Sequence, residues 1–189
     1  MINIFNIALL APFVPIVFAF AGSLPAADLP PRRAEQKQFS VIGIEVRTNN
    51  SRERSGQGEI PKQWERFFRE GVLGKIPGKA DSNIVVVYFN YQSGKTGDYD
   101  YLIGARVNDA STVPPGMRLK TIPSGRYAIV TTAIGPVGKV VADAWQKIWS
   151  LDEKSGLGGI RAYEADFEIY DDRSRDPKNS RVDIYVGLK

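Results

Sequence analysis

Apolar side chains recur along this chain with two periods. In FSVIGIEVRT, residues 39–48, Ile42, Ile44 and Val46 alternate with Glu45 and Arg47, the period of two that marks a strand with one buried face. After Ile60-Pro61 the period changes. In KQWERFFREGV, Trp64, Phe67 and Phe68 fall at i, i+3 and i+4, an apolar stripe on a helix opened by the proline. Two strands follow, NIVVVYFNY (83–91) and YDYLIGARV (99–107), joined by the turn-rich QSGKTGD.

The order then repeats. GRYAIVTTA (125–133) reads as a strand, and Gly135-Pro136 marks the entry to a helix with Val137, Val141, Trp145, Ile148 and Trp149 on one face. Beyond a glycine-rich break at 155–159 come RAYEADFEIY (161–170) and RVDIYVGLK (181–189), separated by the polar DDRSRDPKNS. Residues 108–124 form a proline-rich connector, with a short strand around 117–122. The pattern predicts an α+β fold of two strand-helix-strand-strand units, 38–107 and 125–189, in one domain spanning 38–189. Both helices are expected on one face of a joined antiparallel sheet, leaving the opposite face as a groove.

The N-terminus departs from both periods. Residues 1–27 carry no charged side chain, and the run from Ile4 to Ala21 ends in Ala19-Phe20-Ala21, the small-x-small pattern of a signal-peptidase site. The expectation is a signal peptide over 1–21, a flexible linker over 22–37, and a periplasmic or secreted mature chain without stable membrane insertion. An inner-membrane anchor is the alternative, because the run approaches the ~20 residues that span a bilayer. Pro12 and Pro15 argue against an uninterrupted spanning helix.

Composition removes several chemistries. The 189 residues include no Cys and no His, which excludes disulfides, thiolate nucleophiles, Cys/His zinc sites and a Ser-His-carboxylate triad. Twenty-five basic against 21 acidic residues give a net charge of +4, and the two signs are interspersed, so no nucleic-acid surface is indicated. Ser93-Gly94-Lys95-Thr96 has the ending of a phosphate-binding loop, but Phe89 stands where the pattern needs glycine and a strand follows where it needs a helix. It reads as a hairpin loop. No cofactor or metal motif is present.

The informative strand is 161–170. Alternation puts Tyr163, Ala165, Phe167 and Ile169 on one face and Glu164, Asp166, Glu168 and Tyr170 on the other. Such an acidic row is either the wet face of a sheet, with Arg181 on the neighbouring strand as an internal partner, or a seat for a cation. Glu168 stands apart, because it falls where a joined sheet is most enclosed. A carboxylate there either pairs with a cationic ligand or acts as a base of raised pKa. The tyrosines and tryptophans are mostly core by spacing, and beside a carboxylate they also form walls for cations.

The ordered series IPKQWERFF, IVVVYFNYQS, GDYDYLIGARV, VPPGMRLKTIPSGRYAIVTTAIGP, AWQKIW, ADFEIY and VDIYVGL resembles the GyrI-like small-molecule-binding domain. That family supplies the effector-binding domain of many AraC- and MerR-type regulators and also occurs alone. The resemblance covers 39–189. It implies a duplicated architecture with a ligand groove at the pseudo-twofold, and a small-molecule partner that is drug-like, often cationic or aromatic. Its F-E-x-Y segment falls on Phe167 to Tyr170, which makes Glu168 the ligand's acidic contact, and the pocket aromatics correspond to Trp64, Tyr88, Tyr127 and Trp149, with Tyr170 beside them. No DNA-binding helix-turn-helix is seen, so an exported binding protein is expected rather than a transcription factor. Some stand-alone members are hydrolases of strained electrophilic rings that use the same glutamate toward water. Binder and hydrolase both remain open for Glu168, as does a structural protein whose groove is filled by its own side chains.

Overall fold

The computed structural model describes residues 31–153 and 156–189; the expected signal peptide and the first part of the linker lie outside them. The described residues form an eight-stranded antiparallel sheet with helices on one face, the α+β architecture read from the sequence. The strands are β1 (Arg32–Gln36), β2 (Phe39–Thr48), β3 (Ile84–Phe89), β4 (Tyr99–Val107), β5 (Arg118–Ile122), β6 (Gly125–Thr131), β7 (Ala165–Tyr170) and β8 (Asp183–Gly187). Helices α1 (Asn50–Arg54), α2 (Ile60–Arg69) and α3 (Val72–Lys75) follow β2, and α4 (Val137–Glu153) follows β6.

The spatial order β1-β6-β8-β7-β3-β4-β2-β5 is symmetric about the β7–β3 seam. β2, β4 and β3 of the first unit mirror β6, β8 and β7 of the second. The strand preceding each unit crosses to the other: β1 pairs with β6, and β5 pairs with β2. Residues 32–36 are thus a sheet strand, where the polar sequence predicts a flexible linker over 22–37. An edge strand tolerates polar side chains on both faces, so alternation is weak there.

This topology dictates the shape. Two residues link β1 to β2 and two link β5 to β6, yet the partners of each link sit six positions apart in the sheet. Only a sheet curled until its ends meet satisfies both links. Its helix-free face is therefore closed and not a groove. Phe39 of β2 packs edge-on to Phe167 of β7 at 5.2 Å, Tyr127 of β6 meets Phe167 at 5.3 Å, and Tyr185 stacks on it at 4.4 Å. With Val41, Val85, Val87, Phe89, Leu102 and Ile122 these rings fill the concave side. Gly43 and Gly104 face each other across β2 and β4, and a Cβ on either would run into the opposing backbone.

The other face carries the larger core, where Ile42, Ile44, Val86, Ile103, Ala128, Val130, Ile184 and Val186 pack under Phe67 of α2 and Ala144 and Ile148 of α4. A space is left between the two helices, over the seam.

Candidate functional site

The seam register sets the floor of that space. Val86 lies opposite Glu168, Tyr88 opposite Asp166 and Ile84 opposite Tyr170, so Tyr88, Glu168 and Tyr170 all rise toward the helices. Across β8 the partner of Glu168 is Ile184, and Asp183 and Tyr185 turn to the concave face. The Arg181 partner expected for the acidic row therefore does not form; the period within each strand is legible in sequence, but the register between strands is not. Asp183 instead accepts hydrogen bonds from Thr131 and Arg173.

The walls come from the helices. The i, i+4 spacing of α4 aims Val141, Trp145 and Trp149 at the space, and Ile60, Trp64 and Phe68 enter from α2. Glu53 of α1 fixes α2 by accepting the backbone N–H groups of Glu59 (2.9 Å) and Ile60. Tyr99 and Tyr101 of β4 complete a cavity of about 800 Å³, within the range of small-molecule sites. Trp64 meets Tyr170 at 5.0 Å and Trp145 meets Tyr88 at 4.9 Å, both edge-on. Phe68, 65% exposed, stacks on Trp64 as an apolar lip.

Glu168 is 1% exposed at the base of this cavity. Its Oε1 accepts hydrogen bonds from the Trp145 indole (2.6 Å) and the Tyr88 hydroxyl (2.9 Å), and its Oε2 from the Tyr170 hydroxyl (2.7 Å). All three donors are neutral. Burial pushes the carboxyl pKa up, against the three hydrogen bonds that pull it down. Burial first, and then the carboxylate, hold the Tyr88, Tyr101 and Tyr170 hydroxyls protonated well above their usual range. The Tyr101 hydroxyl is buried near the Trp64 indole with no hydrogen-bond partner.

A second polar group flanks the rings. Arg161 is 3% exposed, and its Nη2 donates to Asp166 Oδ2 at 2.6 Å. Asp166 also accepts from the Tyr91 hydroxyl (2.6 Å) and the Gly187 backbone N–H (2.9 Å). The guanidinium lies 4.2 Å from the centre of the Tyr163 ring and 5.6 Å from that of Trp145.

Of the residues expected at the site, Glu168, Trp64, Tyr88, Trp149 and Tyr170 line one cavity. Tyr127 does not. It lies on the concave face, with its hydroxyl on the Pro123 carbonyl at 3.2 Å, because the cavity opens on the helix face and β6 turns Tyr127 the other way. Trp145, assigned to the apolar face of its helix, supplies the shortest hydrogen bond to Glu168. Its spacing is that of a core residue, and only the register of β7 under α4 separates the two roles. Arg161 was read as the first residue of the strand over 161–170, but β7 begins only at Ala165, so the alternation does not place its side chain. Among the described residues no group of acidic side chains forms a metal site, and no helix is long and apolar enough to cross a membrane.

The family model for Cass2, the integron-associated effector binding protein, matches residues 34–188. The Bacillus subtilis protein YobU is 28% identical over 154 residues, covering 81% of this chain and 92% of its own length. The transcriptional regulator BrlR of Pseudomonas aeruginosa is 32% identical over 167 residues, covering 83% of this chain and 54% of BrlR. Among solved structures, an integron cassette protein of Vibrio cholerae aligns with a TM-score of 0.68 at 25% identity, covering 85% of this chain and 96% of that one. The structure of SAV2435 bound to tetraphenylphosphonium aligns with a TM-score of 0.70 at 17% identity, covering 85% and 94%, a likeness of fold.

Proposed function

The chain belongs to the Cass2 family of integron-associated effector binding proteins, and from that premise we propose that it holds an amphipathic organic cation in the cavity between α2 and α4. The observation that carries this reading is Glu168, a carboxylate 1% exposed in an aromatic cavity of about 800 Å³, whose hydrogen-bond donors among the described residues are all neutral. An ionised carboxylate buried without a cation is costly, and a ligand cation offsets that cost while its apolar groups cover the rings. The tetraphenylphosphonium bound by SAV2435 is a molecule of this class. General-base hydrolysis by Glu168 finds no support of its own in the site. The uncharged run ending in Ala19-Phe20-Ala21 supports export of the mature chain, which N-terminal sequencing of the protein from a periplasmic fraction tests.

The binding reading is tested by calorimetric titration of the parent and Glu168→Gln with tetraphenylphosphonium and with neutral triphenylphosphine oxide. The expected result is phosphonium binding that weakens at least ~10-fold in the variant, the equivalent of about 1.4 kcal/mol, with little change for the oxide. Equal affinity of the phosphonium for both proteins would remove the counter-charge role.

A further inference from the structure

The cavity contains a polar group that a simple cation leaves unused. Arg161 is among the residues lining it and is 3% exposed, yet among the described residues its Nε and Nη1 have no hydrogen-bond partner. Nη2 is engaged by Asp166 at 2.6 Å and, more weakly, by the Tyr91 hydroxyl at 3.4 Å. Nη1 approaches Asp152 Oδ2 only to 4.0 Å, beyond hydrogen-bond reach, and that oxygen already accepts from the Tyr163 hydroxyl at 2.7 Å. Buried N–H groups of an arginine are rarely left without acceptors, because each was fully hydrated in the unfolded chain. Trp145 links this group to the first: its Nε1 donates to Glu168, and its ring centre lies 5.6 Å from the Arg161 guanidinium.

We propose that Arg161 is a second ligand-contacting residue, whose Nε and Nη1 donate to a neutral hydrogen-bond acceptor, a ketone, ester or amide oxygen, on the same ligand whose cationic group faces Glu168. The charges decide for a neutral acceptor. Arg161 already has two carboxylates beside it, Asp166 and Asp152, so the cluster carries one net negative charge and repels a third anion. A carbonyl oxygen supplies the missing acceptor without that repulsion. The ligand class is then an aromatic or aliphatic cation with a carbonyl on a short arm. This inference rests on the binding reading of the Glu168 cavity and specifies the ligand for it.

The test uses three phosphonium probes of nearly equal shape, 4-methylpentyl-, 4-oxopentyl- and 3-carboxypropyl-triphenylphosphonium, titrated calorimetrically into the full chain at pH 7. The arm is also lengthened by one and two methylenes in each series. At one arm length the ketone binds about tenfold tighter than the alkyl probe, the gain of a hydrogen bond from a charged donor, and the carboxylate shows no such gain. Arg161→Lys retains a positive charge for Asp166 but replaces the planar fork by a single ammonium, so the Nε–H and Nη1–H donors are lost from their positions. It brings the ketone and alkyl probes to equal affinity, whatever its effect on the two together. Equal binding of ketone and alkyl probes at every length overturns the Arg161 assignment and leaves the Glu168 reading standing. A ketone advantage that persists in Arg161→Lys, or a carboxylate that binds best, also overturns it and points to the exposed rim cations Arg54 and Arg175. Failure of all three probes to bind overturns both readings. Should Arg161→Lys fail to fold, the comparison on the parent protein still decides.

Discussion

Trp145 Nε1 donates to Glu168 Oε1 at 2.6 Å, joining the wall of the cavity on α4 to its floor on β7. The bond ties packing to charge, because the ring that shapes the pocket also helps hold the carboxylate ionised. Trp145→Phe keeps most of the packing and deletes the donor. We expect a loss of about 2 kcal/mol in urea unfolding at pH 8, the range for a hydrogen bond to a charged group, and a further rise in the Glu168 pKa. An unchanged midpoint would show that the indole contributes packing alone.

Burial raises the Glu168 pKa above the ordinary carboxylate value of 4.5, and this has two opposite pH consequences. Between 4.5 and the raised value the folded state carries a proton that the unfolded state has lost, so stability falls as pH rises through that window and levels off above it. Cation binding runs the other way. Below the raised pKa, tetraphenylphosphonium affinity drops by up to tenfold per pH unit, as Glu168 becomes neutral, while triphenylphosphine oxide is unaffected. Titrations from pH 5 to 8 on the parent and Glu168→Gln check both slopes, which the variant lacks.

Asp166 compensates Arg161 in a buried pair, so Asp166→Asn leaves the guanidinium without its nearest counter-charge. Breaking such a pair from one side costs about 3–5 kcal/mol, and denaturant unfolding at neutral pH reads that loss directly. A change below about 1 kcal/mol would mean that Asp152 takes over the role.

Tyr88 and Tyr127 are both strand tyrosines expected at the site, but they face opposite sides of the sheet. Tyr88→Phe removes a donor to Glu168 and weakens phosphonium binding severalfold; Tyr127→Phe loses only its contact with Pro123 and leaves binding unchanged. A ligand effect of Tyr127→Phe equal to that of Tyr88→Phe would contradict the placement of the cavity.

At Gly104 any side chain meets the backbone of β2, so Gly104→Ala is expected to destabilise by about 1–3 kcal/mol in thermal unfolding with little effect on the spectroscopic signature of the native sheet. A neutral substitution would show that β2 and β4 have room to separate.

The two periods were enough to place six of the strands and both long helices, because each has one apolar face repeated over five residues or more. β2 and β4 fall on their expected bounds. What the periods could not carry was the curl. It depends on β1 and β5 pairing across the pseudo-twofold, a relation between residues 75 to 97 positions apart that leaves no local trace. The face carrying the cavity was therefore reversed, and Tyr127 with it. Glu168 was legible because its place in the strand puts it where a joined sheet is most enclosed, and because the F-E-x-Y segment of the resembling family falls on it. Arg161 and Trp145 were not, since one stands before the true start of β7 and the other has the spacing of a core residue.

The exchange of β1 and β5 between the two halves also limits how a ligand gets in. Each half is held to the other along the six-pair β3–β7 ladder and again at both rims, by a strand whose sequence neighbours lie on the opposite side. A hinge at the seam would have to peel both rims at once. Access therefore falls to what rests on the sheet without being woven into it, above all α2 with its exposed Phe68. The sheet acts as a fixed anvil, and any breathing belongs to the helices above it.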